Sequence, residues 1–200
     1  MKKLLLVLCL LLIPSLIFAT ENVGYETQGA SSYNINGASA WAFKLLDTPS
    51  TDGTVDSITF TVDGNDAERL FKLALYTDAS GMPGSLVANS VTVEGSVTGT
   101  AATDKTLAIA SGTCSITAGT TYWIVIQAKT DVYLDMYYDD AGTGRDGSVK
   151  AMTYGNWSSW GGTEDGNVTW RAGKGYFTYT ATAATPAVTH RNCIIYNNIQ

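Results

Sequence analysis

The stretch Ala118–Ala128, with the sequence AGTTYWIVIQA, is the strongest indication of the fold in this chain. A Gly turn leads into Tyr122–Ala128, whose aromatic and β-branched residues favour extended backbone. The run is apolar at both odd and even positions, so both faces of the strand are apolar. Such a strand is typical of a central position, where the core covers one face and loops or a partner cover the other. We therefore expect Tyr122–Ala128 to lie in the middle of a sheet.

Elsewhere in the chain, several short segments carry apolar residues at every second position. Ile58–Val62, Phe71–Leu75 and Phe177–Ala181 alternate in this way, and turns rich in Gly, Asp and Pro separate the runs, as at Asp63–Asp66 and Asp78–Gly84. After residue 20, no segment sustains an apolar period of 3.6 residues over three turns. The pattern predicts an all-β fold, a two-sheet antiparallel β-sandwich that is jelly-roll-like.

The predicted strands share this alternation and are bounded by turn residues. They are Ala40–Leu45, Val55–Val62, Arg69–Tyr76, Leu86–Val93, Thr106–Ala110, Thr113–Ile116, Tyr122–Ala128, Val132–Tyr138, Val149–Tyr154, Val168–Arg171 and Lys174–Thr182. Their order within the two sheets stays open, because antiparallel strands of this kind pair in several arrangements.

The N-terminal residues predict export, and the C-terminal residues predict a tail separate from the sandwich. Basic Lys2 and Lys3, the apolar run Leu4–Phe18 and small Ala19 form the pattern of a secretory signal peptide over residues 1–19. The apolar run is shorter than the roughly 20 residues that span a bilayer, so we expect no stable membrane insertion after cleavage; a retained anchor is the alternative. The sandwich then covers 20–182, and the protein is expected to be secreted or at the cell surface.

Residues 183–200 form a linker followed by a short strand or tail, in which Asn192–Asn198 (NCIIYNN) is similar to one rung of a parallel β-helix. A single rung cannot bury its apolar face alone. This tail is therefore predicted either to fray or to pair with the sandwich edge or another subunit by strand addition, which permits self-association through the tail.

Composition narrows the classes of function. The 200 residues carry 12 Lys and Arg against 18 Asp and Glu, and the formal net charge is -6. Nucleic acid is excluded as a partner because phosphates require clustered basic residues. His190 is the single histidine and lies in the tail, which disfavours a Ser–His–Asp triad.

A family resemblance adds to this interpretation. The segments Tyr76–Leu86 (YTDASGMPGSL) and Ala118–Ile126 (AGTTYWIVI) resemble the choice-of-anchor β-sandwich modules of bacterial surface proteins, and the resemblance covers roughly Trp41–Thr182. It implies a secreted, jelly-roll-like and non-catalytic domain beside an anchor, and it supplies no catalytic residues.

A cluster of aromatic residues between Tyr133 and Tyr176 suggests a glycan site. Sugar rings stack on Trp and Tyr, while acidic and basic side chains bond their hydroxyl groups; core packing is the alternative for the same rings. The Gly- and Ser-rich loop Trp157–Gly162 is expected to be exposed. The ligand-binding residues predicted on this reasoning are Trp157, Trp160, Tyr154, Tyr137, Asp139 and Arg145.

Two further kinds of site remain open. Asp63 and Asp66, and separately Glu164 and Asp165, place oxygen ligands on turns where a structural calcium ion could bind, although Asp-Gly turns need no metal. Cys114 and Cys193 could form a disulfide in an oxidising compartment. No other cofactor is expected.

We expect a non-catalytic module for adhesion or glycan binding, so the chain is not expected to be an enzyme. The first alternative is a structural module, acting as a spacer or subunit of a longer β-helix-containing surface protein. The second is a polysaccharide-degrading enzyme that uses paired carboxylates, for which Asp135, Asp139, Asp140, Asp146, Glu164 and Asp165 are the candidates.

Overall fold

Strands are the regular elements of the chain in the computed structural model, which describes residues 19–35, 37–129, 133–138, 147–160, 167–168 and 174–182. In chain order the strands are β1 (Thr20–Tyr25), β2 (Ser31–Ile35), β3 (Ser39–Lys44), β4 (Gly53–Asp63), β5 (Arg69–Ala79), β6 (Met82–Leu86), β7 (Gly95–Val97), β8 (Thr103–Ala108), β9 (Ser115–Ile116), β10 (Tyr122–Ala128), β11 (Leu134–Tyr138), β12 (Gly147–Ala151), β13 (Asn167–Val168) and β14 (Gly175–Ala181). None of the described residues belongs to a helix with the length and apolar character needed to cross a membrane.

The strands form two antiparallel sheets. Sheet A has the order β1-β14-β4-β11-β2, and β8 and β9 also pair with β4. Sheet B has the order β13-β12-β3-β10-β5-β6, and β7 also pairs with β5. The predicted all-β two-sheet sandwich is therefore confirmed.

The core lies between the inner faces of the two sheets. Ile58, Phe60 and Val62 of β4 enter it from sheet A, while Ile124 and Ile126 of β10 enter it from sheet B. All five side chains are fully buried, as the two-residue period of these strands predicts. Burial of this apolar surface is the main favourable term in folding.

The central position predicted for Tyr122–Ala128 is confirmed. The strand β10 pairs with β3 on one side and with β5 on the other, and all seven of its residues are buried. Its outer face contributes Trp123 and Val125 to a second apolar cluster, separate from the core between the sheets. That second cluster positions the candidate site described below.

The predicted strand Leu86–Val93 is wrong in its bounds, because β6 ends at Leu86. Beyond Leu86, side-chain hydroxyl groups accept hydrogen bonds from β5 backbone N–H groups that a regular neighbouring strand would bind through its carbonyl groups. Thr92 Oγ1 accepts a hydrogen bond from the backbone N–H of Leu73 at 3.0 Å, and Ser90 Oγ accepts one from that of Leu75 at 3.0 Å. Asn89 has a φ of 59°, in the left-handed region, and this interrupts extended backbone.

The strands β1 and β2 were not predicted from the sequence. Their sequences, TENVGY and SSYNI, are mostly polar, and each contains only one pair of alternating apolar residues, Val23 and Tyr25 or Tyr33 and Ile35. Each strand is held by pairing with a single neighbour, β1 with β14 and β2 with β11. Each strand buries one apolar side chain in the core, Val23 or Ile35, while most of its other residues are exposed or only partly buried. One buried residue per strand is too short a pattern to predict a strand from the sequence.

The described residues lie within one compact unit, Ile17–Thr182. The predicted signal peptide, apart from Ala19, and the tail at 183–200 lie outside the described residues.

Candidate binding surface

The candidate surface begins with the outer face of sheet B. The strand register places Ala42 and Ala74 on either side of Val125, so the middle of this face carries only short side chains. The larger Tyr76 lies beside Trp123 in the next row. All five side chains are buried, although they face away from the core between the sheets. Another segment of the chain must therefore cover them.

That segment is Met152–Trp160, which we call the strap. Trp160 is only 1% exposed, and its ring packs edge-on against Tyr76 with the ring centroids 5.7 Å apart. Its indole Nε1 donates a hydrogen bond to Ser148 Oγ at 2.9 Å, and its backbone N–H donates one to the carbonyl of Gly84 at 2.9 Å. The expectation that Trp160 is an exposed sugar-stacking residue is therefore wrong: its ring anchors the strap.

A buried glutamine fixes the backbone of the strap. Gln127 is 1% exposed and its Oε1 accepts a hydrogen bond from the N–H of Gly155 at 2.9 Å. Its Nε2 donates to the carbonyl of Asn156 at 3.1 Å and approaches Met152 Sδ at 3.5 Å. One amide side chain thus satisfies a donor and an acceptor of the strap, as a buried polar group requires.

The far end of the strap is tied to sheet B by two further side chains. Tyr76 Oη donates to the carbonyl of Ser158 at 2.9 Å, and burial raises the pKa of Tyr76 to about 12, so the hydroxyl keeps its proton. Lys150 Nζ donates to the carbonyls of Ser159 at 2.8 Å and Trp160 at 3.3 Å. The strap is therefore fixed on both sides of Trp157.

Trp157 lies between these tied points. Its side chain is half-buried and packs against the apolar cluster of the outer face, while neighbouring Asn156, Ser158 and Ser159 are exposed. The strap thus presents part of one indole ring among short amide and hydroxyl side chains. Such a combination can stack on the C–H face of a sugar and bond its hydroxyl groups.

Tyr154 belongs to a charged cluster at the start of the strap. Its hydroxyl donates to Glu94 Oε2 at 2.7 Å, and Lys129 Nζ lies 3.0 Å from Glu94 Oε1. The ammonium groups of Lys72 and Lys129 lie 5.6 Å and 5.9 Å from the centroid of the Tyr154 ring. Burial, together with the hydrogen bond to Glu94, raises the pKa of Tyr154, and the bonds from Tyr154 and Lys129 lower the pKa of Glu94.

Tyr137, another predicted ligand-binding residue, lies on sheet A and so belongs to a different surface from the strap. Its hydroxyl donates to Asp63 Oδ2 at 2.7 Å, and this bond raises the pKa of Tyr137 to about 12. Asp135 lies directly across from Asp63 in the register of β11 and β4. Burial and the charge of Asp63 raise the pKa of Asp135. Of the predicted ligand-binding residues that the structure describes, Tyr154, Trp157 and Trp160 therefore lie together on the strap, whereas Tyr137 does not.

The predicted calcium ligand Asp63 is engaged by protein donors. Its Oδ1 accepts the N–H of Asn65 at 2.9 Å, and its Oδ2 accepts the Tyr137 hydroxyl. Asp66 lies on the same turn with a φ of 65°. Within the part of the chain that the structure describes, no three acidic, histidine or cysteine side chains are grouped to hold a metal ion.

Of the other predicted disulfide, calcium and ligand-binding residues, Cys114 is described by the structure and the rest lie outside the described residues. Cys114 is a free, fully buried cysteine in the core, and burial raises the pKa of its thiol to about 11. Outside the described residues lie Asp139, Arg145, Glu164, Asp165 and Cys193.

Sequence reasoning missed Gln127, Lys72, Lys129 and Glu94. The two-residue period places Lys72 and Gln127 on outward positions of their strands, but only the register shows that they are neighbours. Comparisons with family models, with curated proteins and with solved structures find no match to this chain. The resemblance to choice-of-anchor modules stays a prediction.

Proposed function

We propose that this chain is an exported, non-catalytic β-sandwich module that binds glycans at a cell surface through the strap. The signal-peptide pattern of residues 1–19 supports export. The strap supports glycan binding because it combines a partly exposed indole ring with amide and hydroxyl groups. Adhesion is the consequence that glycan binding has for a module held at a surface.

The observation that carries this proposal is how Trp157 is held. Gln127 fixes the backbone on one side of Trp157, and Tyr76 and Lys150 fix it on the other. A ring on such a fixed backbone loses little conformational freedom when a ligand binds, which favours affinity. Trp160 performs the separate task of anchoring the strap.

A binding experiment with matched variants tests the proposal. Binding glycans are first identified on a glycan array, and affinities are then measured by calorimetry for the wild type, Trp157→Ala and Tyr133→Ala. Tyr133 is 52% exposed and is not part of the strap, so it controls for the loss of a surface aromatic ring. We expect Trp157→Ala to weaken binding at least tenfold, equivalent to about 1.4 kcal/mol, while Tyr133→Ala binds like the wild type.

The folded state of both variants is checked by circular dichroism and thermal unfolding. Equal affinity of the wild type and a folded Trp157→Ala variant contradicts the proposed site. Absence of binding to every glycan tested contradicts the proposed function.

A further inference from the structure

Lysines gather on the outer face of sheet B, although the chain as a whole is acidic, with a formal net charge of -6. Lys44 lies beside Trp123, and Lys72 lies beside Gln127 in the strand register. Lys150 lies beside Ala40, and Lys129 reaches the Tyr154 ring of the strap. Three of these lysines, Lys72, Lys129 and Lys150, contact the strap, while Lys44 lies over the Trp123 ring and pairs with Asp78.

Lys72 and Lys129 contact the strap at Tyr154. Lys72 is the cross-strand neighbour of Gln127, whose side chain holds Gly155 and Asn156. Its ammonium group lies against the ring of Tyr154, three residues before Trp157. The cation therefore lies against the strap at Tyr154, and the indole is carried by the same strap three residues further along.

The charge at this point is only partly compensated among the described residues. Glu94 forms its ion pair with Lys129 at 3.0 Å and also accepts the Tyr154 hydroxyl. Lys72 contacts the Tyr154 ring, and the ion pairs among the described residues do not include it. A single carboxylate thus faces two ammonium groups, and the Tyr154 hydroxyl already occupies one of its oxygens.

We propose that the glycan bound by the strap is anionic, a sugar chain carrying carboxylate groups, with Lys72 as the counter-charge and Trp157 as the stacking ring. This inference rests on the proposed function and adds the class of ligand. A carboxylate placed near Lys72 gains a charge-assisted hydrogen bond at a partly desolvated position. A neutral sugar of the same shape gains the stacking contact alone.

The test uses one sugar backbone in two charge states. Calorimetric titrations compare oligogalacturonate with its fully methyl-esterified form, at low and at physiological salt. The variants are Lys72→Gln and the control Lys105→Gln, which removes a lysine from β8 of sheet A. Thermal unfolding of both variants checks that they are folded.

We expect the wild type to bind the acid form more tightly, with the difference shrinking as salt rises. Lys72→Gln is expected to weaken binding of the acid form roughly three- to tenfold and to leave the ester unchanged, while Lys105→Gln changes neither. Equal affinity for both forms, insensitive to Lys72→Gln, overturns the anionic ligand but leaves glycan binding standing. Binding of neither form overturns this inference, and glycan binding itself is judged separately by the array and the Trp157→Ala titration.

A third probe separates a sugar from any polyanion. Single-stranded DNA of similar charge is titrated under the same conditions. Weaker binding of the DNA than of oligogalacturonate supports recognition of an acidic sugar. Equal affinity for both overturns it in favour of general charge attraction.

Discussion

Replacing Gln127 by Leu tests whether one buried amide holds the strap in place. Leu has a similar volume but no polar atoms, so the change removes the hydrogen bonds to Gly155 N–H at 2.9 Å and to the Asn156 carbonyl at 3.1 Å. The apolar surroundings from Ala40 and Val125 still accommodate an aliphatic side chain. The variant therefore isolates the polar contribution of this residue.

The loss in the free energy of unfolding follows from the Gly155 N–H and the Asn156 carbonyl, which lose their partner. Each lost hydrogen bond removes about 1 kcal/mol, and a backbone group that stays buried without a partner costs about 1–3 kcal/mol more. If the strap moves to let water reach these groups, the cost falls toward the lower end of that range. We expect Gln127→Leu to lower the free energy of unfolding by about 2–4 kcal/mol, or roughly 4–16 °C in Tm for a domain of this size.

The assay combines thermal unfolding with amide hydrogen exchange, and Gln28→Leu is the matched control because Gln28 is exposed. Exchange is expected to accelerate at Gly155 N–H and Trp160 N–H, while amides in the middle of β10 keep their protection. An unchanged Tm with unchanged exchange in the strap refutes the role of Gln127. A loss of protection throughout β10 shows instead that the residue supports the whole sheet.

Three further predictions follow from the packing and charges. Trp160→Ala removes a buried ring and its indole hydrogen bond, so we expect it to lower the free energy of unfolding in urea by about 3–5 kcal/mol. This loss is expected to be several times that of Trp157→Ala. Equal losses contradict the assignment of Trp160 as the anchor and Trp157 as the exposed ring. In a variant that carries Cys9→Ser and Cys193→Ser, Cys114 is the remaining cysteine. We expect it to react with Ellman's reagent only on unfolding, because it is fully buried and burial raises its thiol pKa to about 11. Rapid reaction of the folded protein argues against that burial. Burial and the charge of Asp63 raise the pKa of Asp135 in the folded state, so the stability linked to its protonation is present in acid and is lost as the pH rises through that pKa. Asp135→Asn is therefore expected to raise the Tm at pH 7, with the gain vanishing below about pH 4, and a gain that persists in acid excludes this linkage.

The apolar pattern of the sequence was enough to predict the core strands. The strand Tyr122–Ala128 has the bounds predicted for it. Both of its faces are buried, and burial on both faces requires the apolar residues that marked the strand in the sequence. The strands β4 and β5 were also predicted, with ends a few residues short, since turn residues continue the pairing beyond the apolar run. Polar edge strands such as β1 left no comparable pattern.

The candidate site was predicted only in part. The sequence indicated the segment around Trp157, but its Gly- and Ser-rich composition suggested exposure for Trp160 as well. Trp160 is buried because Ala42 and Ala74 leave room for a large ring on the outer face of sheet B, and this depends on the register of three strands. The role of Gln127 was not predicted for the same reason, since its partners are 28 and 29 residues away in the chain.

Fluorine NMR of protein labelled with 5-fluorotryptophan shows whether Trp157 is the ring that a glycan contacts. The chain contains five tryptophans, and a Trp157→Phe variant assigns the resonance of Trp157. On addition of a bound oligosaccharide, the Trp157 resonance is expected to shift while those of buried Trp123 and Trp160 stay in place. A saturable titration that leaves the Trp157 resonance unmoved shows that the glycan binds elsewhere and not on Trp157.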